Sequence, residues 1–142
     1  MEAFGRAIAV SLGAMGLVVF LLFYKTATVR WLRTETVRNM SRAYAEDVLN
    51  SGVIRASDWN MFREMLNRFG NYRTEFAVFE RRRFEGENGR IYFFTEEKVS
   101  EEDKLLTEGS YIRITVTEET GGKAESMLYG SEGIVIAGGR VE

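Results

Sequence analysis

The chain has no cysteine, no histidine and no proline among its 142 residues. Without cysteine there is no disulfide framework and no thiolate nucleophile, so the fold rests on packing and hydrogen bonds alone. The lack of histidine removes Ser-His-Asp and Cys-His arrangements, the commonest general base and the usual zinc ligand. Absent proline leaves long helices unbroken and hands turn formation to Gly, Asn, Ser and Asp. Carboxylates are numerous, but no pair is singled out by spacing, and no glycine-rich loop has phosphate-cradling form. Glu101-Glu102-Asp103 lacks the pattern of a calcium loop and reads as the charged start of a helix. The expectation is a non-enzymatic protein with neither metal nor cofactor.

What stands out instead is an uncharged run, residues 7–24, flanked by Arg6 and Lys25. As a helix it covers roughly 27 Å, close to the ~30 Å hydrocarbon thickness of a bilayer. A cleaved signal would have a shorter apolar region followed by small residues, whereas this one ends in Phe-Leu-Leu-Phe-Tyr-Lys. The run is therefore read as a retained single-pass span. Gly5, Ala9, Gly13 and Gly16 fall on one stripe of this helix, where another helix could approach closely.

No Pro or Gly interrupts residues 25–51, so the helix is expected to continue as a stem to Asn50-Ser51-Gly52. Val37, Met40, Tyr44 and Val48 repeat at helical spacing, with Val29 and Leu32 earlier, and form a seam expected to pack on other helices. Tyr24 and Trp31 fit an interfacial aromatic belt. Charge is unevenly placed. Residues 25–55 carry six basic side chains (Lys25, Arg30, Arg33, Arg38, Arg42, Arg55) against three acidic ones (Glu35, Glu46, Asp47). The remainder is acidic, which argues against nucleic acid as a partner. Three segments follow: 1–24 as the N-terminus and span, 25–52 as the stem, and 53–142 as a small head.

Within the head, Ser57-Asp58 opens an amphipathic helix carrying Trp59, Phe62, Met65 or Leu66, and Phe69 as a core-facing stripe, with Gly70 as its left-handed cap. From Tyr72 the period becomes two, with Tyr72, Thr74, Phe76 and Val78 on one face. Asn88-Gly89 predicts a hairpin into residues 91–95. Arg81-Arg82-Arg83 reads as a solvated hairpin end, with phosphate or lipid headgroup binding as the alternative. Ser100-Glu101-Glu102-Asp103 resembles a capping box before a short helix or turn ending at Gly109. Ile112, Ile114 and Val116 mark a strand. A polar loop follows around Gly121-Gly122, then short strands at Met127-Leu128-Tyr129 and Ile134-Val135-Ile136-Ala137, with Gly138-Gly139 as a loose tail. The fold class is α+β: a long helix, a short amphipathic helix and an antiparallel sheet of about four strands covered on one face.

The Met-Glu-Ala-Phe-Gly-Arg start, the uninterrupted stem ending at Leu49-Asn50-Ser51-Gly52, the Ser57-Asp58-Trp59 helix and Gly70-Asn71-Tyr72 leading into a strand resemble small pilin-like proteins. They are most similar to TadE-like minor pilins and related anchored proteins of Gram-positive tight-adherence pilus systems. The resemblance implies an exported head at the cell surface and a stem that packs with others. It also implies a part in assembling or priming a filament. The partners it implies are the bilayer, other pilin-like subunits or membrane assembly proteins, and copies of itself. It departs from processed pilins at one point: Gly5 is followed by Arg6, Ala7, Ile8, Ala9 and Val10, with no glutamate inside the apolar run. Arg6 before the span against Lys25, Arg30 and Arg33 after it runs counter to export by the positive-inside tendency, yet an extracytoplasmic head is favoured. The alternative reading is an extracytoplasmic ligand-sensing or regulatory module acting through a membrane partner.

Overall fold

The computed structural model of the chain describes residues 2–86, 89–99, 102–119 and 134–142. The element order is α1 (Glu2–Ser51), β1 (Val53–Ile54), α2 (Ala56–Asn67), β2 (Tyr72–Gly86), β3 (Gly89–Lys98), β4 (Lys104–Leu105), β5 (Tyr111–Glu118) and β6 (Ile134–Arg140). This is the expected α+β chain, with a four-stranded antiparallel sheet in the order β3-β2-β5-β6. Two compact units are present, Met1–Glu35 and Thr36–Glu142.

The first unit is helical, and its residues from 3 to 29 are all exposed. Its most apolar 18-residue window has a mean hydropathy of 2.3 with none of it buried, so the helix is long and apolar enough to cross a membrane. Polar side chains here find partners on their own helix. The hydroxyls of Ser11, Thr26 and Thr28 donate to the carbonyls of Ala7, Leu22 and Tyr24 at 2.8 to 2.9 Å. Lipid offers no replacement for a missing hydrogen bond, so this internal satisfaction is what a bilayer demands.

The second unit begins inside the stretch expected to be a free stem. Val37, Ser41, Ala45 and Val48, spaced four, four and three, are all at most 3% exposed. The Ser41 hydroxyl donates to the Val37 carbonyl at 2.8 Å, so its burial leaves no unpaired donor. Gly52 ends the helix as expected: with φ +67° it takes the left-handed conformation that side chains disfavour, and its N–H donates to the Val48 carbonyl at 2.9 Å.

Helix α2 is capped differently from the expectation. It starts at Ala56, and Arg55 at its N-cap makes no side-chain capping bond. The Ala56 N–H donates instead to Asp103 Oδ1 at 2.8 Å, placing a carboxylate where the helix dipole favours it. Asp103 thus caps a helix, but not one of its own making. Among the described residues no helix follows it; Ser100 and Glu101 lie outside them. Lys104 and Leu105 pair as β4 with Ile54 and Val53 of β1. At the other end of α2, Gly70 does not take the left-handed cap. Arg68 is right-handed at φ −72°, and short bonds from the Arg68 and Phe69 N–H groups to Met65 and Leu66 close the turn. A side chain at Gly70 would stand 3.2 Å from the Tyr72 ring, which accounts for glycine there.

In the sheet, alternation decides the faces. Phe76 and Val78 of β2, Ile112, Ile114 and Val116 of β5, and Val135 and Ala137 of β6 share one core with Trp59, Phe62 and Leu66 of α2 and Val37, Ala45 and Val48 of α1. Of the expected α2 stripe, Leu66 takes the core position, while Met65 and Phe69 stay 40% and 41% exposed. The β2–β3 hairpin is longer than expected and closes at Gly86 opposite Gly89; Glu87 and Asn88 lie outside the described residues, as do the loop around Gly121-Gly122 and Met127-Leu128-Tyr129.

The expected loose tail is a strand. Gly138 and Gly139 continue β6 opposite Arg113 and Ile112, and Val141 beyond them is buried. A Cβ on Gly138 would fall 2.1 Å from the Ile112 carbonyl oxygen, whereas one on Gly139 would meet only the Leu49 Cδ1 methyl at 2.8 Å. Gly138→Ala should therefore destabilise the chain by about 1–3 kcal/mol, the usual cost of overpacking, and Gly139→Ala by less because a methyl can turn away. Denaturant midpoints of the two variants in detergent check this ranking; an unchanged midpoint for Gly138→Ala would contradict the close approach.

Candidate functional site

The residues expected to pack on other helices fall into two groups. Gly5, Ala9, Gly13 and Gly16 are exposed, and a Cβ on any of the three glycines would meet nothing within 4 Å. The stripe is open along its length. The seam is not: Val37 and Val48 are turned into the chain's own core rather than toward a partner. Met40 and Tyr44 pack against that core from one side and remain half-buried. The physical reason is phase. The side of α1 that meets the sheet runs through Val37, Ser41, Ala45 and Val48, and this rotates Met40 and Tyr44 toward α2.

An open groove of about 660 Å³ results between these two helices. Tyr44 and Phe62 form its floor, their rings stacked at 4.7 Å between centroids and 11° between planes. Met40, Met61, Met65 and Phe69 form flexible apolar walls, and Asp47, Asp58 and Arg68 stand at the rim. Met61 is 57% exposed, so these walls are uncovered. Thioether side chains adapt to irregular apolar partners, which suits such a surface to binding.

One polar group in the groove stands out. The Tyr44 hydroxyl is buried yet has no hydrogen-bond partner among the described residues. Burial pushes its pKa well above the ordinary tyrosine value, and the negative charges of Asp58 and Asp47 add to the rise. The phenol therefore stays neutral. Among the described residues no group of carboxylates is placed to hold a metal ion.

The chain matches no protein-family model, no curated protein and no solved structure.

The second exposed feature is the outer half of the β2–β3 hairpin. Its three consecutive arginines are each engaged locally. Arg81 lies over the Tyr92 ring at 4.0 Å, Arg82 pairs with Glu80 at 3.6 Å, and Arg83 pairs with Glu85. That is the solvated hairpin end the sequence suggested, not a cluster of bare cations. Nearer the core, Lys104 bridges Glu80 at 3.1 Å and also Glu97. Partial burial pulls its pKa down, but the hydrogen bonds it donates to Glu97 and Glu80 outweigh this and hold it above the usual lysine value.

Sequence reasoning missed the groove because it assigned the apolar residues of α2 to one buried stripe. Met61 was the available signal: it lies one residue before Phe62, off the core stripe, where a charged residue would cost nothing. Tyr44→Phe removes the buried, unpaired hydroxyl and keeps the ring, so it should stabilise the isolated chain by about 1 kcal/mol. Thermal unfolding in detergent checks this, and a loss of stability would mean that the hydroxyl has a partner within the chain.

Proposed function

We propose that the chain is a non-enzymatic, pilin-like, single-pass membrane protein that joins the assembly or priming of a surface filament, with its second unit outside the cell. The observation that carries this reading is the unburied apolar helix. An 18-residue window of mean hydropathy 2.3 with no part buried requires a cover of lipid or of other helices. Its open stripe of Gly5, Ala9, Gly13 and Gly16 favours close approach by a second helix.

The groove between α1 and α2 favours the second reading, an extracytoplasmic sensing module acting through a membrane partner. Its apolar walls, with Asp47, Asp58 and Arg68 beside them, suit a small and largely apolar ligand.

Two experiments test the filament reading. In intact cells of the native host, protease should digest a C-terminal tag, and Gly13→Leu should abolish incorporation of the chain into sheared surface filaments while leaving its membrane level unchanged. Protection of the tag until lysis would place the second unit in the cytoplasm and end both readings. Filament incorporation unchanged by Gly13→Leu would end the packing role of the stripe.

A further inference from the structure

The sheet has a long open edge. Among the described residues β3 pairs with β2 alone, and all ten of its residues, Gly89–Lys98, are exposed. At its centre stand three consecutive aromatics, Tyr92, Phe93 and Phe94, at 47%, 46% and 49% exposure. Proteins ordinarily protect such an edge with central charges, proline or a bulge, because its unpaired N–H and C=O groups template another strand. Here the middle five residues, Ile91 to Thr95, carry none of these.

Charge on this strand is instead placed at its ends, and with opposite signs: Arg90 precedes the apolar run and Glu96 and Glu97 follow it. That order is self-complementary under a two-fold axis. We infer that β3 is a homotypic interface, on which a second copy of this chain pairs its own β3 antiparallel, with Phe93 opposite Phe93.

In this register Tyr92 faces the copy's Phe94, Ile91 faces its Thr95, and Arg90 faces its Glu96. Opposed residues have matching parity, so each face of the sheet continues across the junction. Neighbouring registers that keep the faces continuous are worse. Centring on Phe94 sets Arg90 against Lys98, and centring on Tyr92 leaves Arg90 against Phe94. The Arg90 contact also extends rows already present on the outer face. Within one chain Arg90 lies 3.7 Å from Glu85, and Glu96 lies 3.1 Å from Arg113. Pairing would join these into an alternating run, Glu85, Arg90, Glu96, Arg113, with the last two from the copy. Aromatic pairs opposed across strands add to the ladder bonds.

The absence of native cysteine makes the test clean. Single substitutions Phe93→Cys, Ile91→Cys and Thr95→Cys are made in the full chain in detergent and oxidised mildly. Opposed Cβ atoms in the pairing lie about 4.5–5.5 Å apart. Phe93→Cys should therefore yield a disulfide-linked dimer, whereas the two copies of position 91, or of 95, stand about 13 Å apart along the strand and should not link. An equimolar mixture of the Ile91→Cys and Thr95→Cys chains should link, since those positions oppose each other. Phe93→Lys should convert the dimer to monomer by sedimentation while the chain still unfolds in a cooperative thermal transition, now independent of protein concentration. Equal linking at 91, 93 and 95, no linking at 93, or a dimer that persists in Phe93→Lys would each overturn the inference. The inference is independent of the filament reading, since Gly13→Leu alters neither β3 nor the linking pattern.

Discussion

The Tyr44 ring is the point at which the second unit is joined. It stacks on Phe62 at 4.7 Å and on Trp59 at 5.9 Å, both from α2, and meets the edge of Phe76 from β2 at 6.2 Å. One side chain of α1 thereby touches the other helix and the central strand together. Trp59 packs in turn on Phe76 at 5.2 Å, closing the cluster. Aromatic pairs of this kind contribute about 0.5–1.5 kcal/mol beyond the area they bury. Without cysteine, nothing covalent substitutes for them. The sheet needs a cover for Phe76, Val78, Ile112, Ile114 and Val116, and α2 with its twelve residues supplies only Trp59, Phe62 and Leu66 to it. Most of the remaining cover is the end of α1, with Ile54 of β1 beside it.

That requirement gives one helix two environments. Up to Val29 the described side chains of α1 are exposed and the run is apolar on every side, the pattern of a membrane span. From Val37 onward a buried side and a solvated side separate, with Arg42, Glu46 and Asp47 exposed. No proline or glycine marks the change, so the backbone passes from one regime to the other on composition alone. The exposed features that follow are of different kinds: a stripe of small residues in the first unit, and in the second a methionine-walled groove and an exposed edge strand.

Much of the fold was legible because period and punctuation agreed. The alternation at Tyr72, Thr74, Phe76 and Val78 and at Ile112, Ile114 and Val116 announced both central strands, and Gly52 announced the end of α1. The misreadings share a cause, since each turned on a partner distant in sequence. Asp103 looks like the start of its own helix and instead receives the Ala56 N–H, forty-seven residues away. Gly138-Gly139 looks like a tail until Ile112 and Arg113 are set beside it. Val37 and Val48 look free for another helix until the sheet that claims them is in place. The exposed stripe of Gly5, Ala9, Gly13 and Gly16 was legible directly, because helical spacing alone sets it. The groove was not, because it exists only once Tyr44 and Met61 are set opposite each other.

Residues 36–51 are part of the second unit and not a free stem. The direct measurement is urea unfolding of two fragments, residues 36–142 and residues 56–142, followed by tryptophan fluorescence of Trp59. The longer fragment should unfold in one cooperative transition with a blue-shifted, buried indole in the folded state. The shorter one, lacking Val37, Tyr44, Ala45 and Val48, should show a solvent-exposed Trp59 and no cooperative transition. A cooperative transition at the same midpoint in both fragments would contradict the claim and return α1 to the role of a stem.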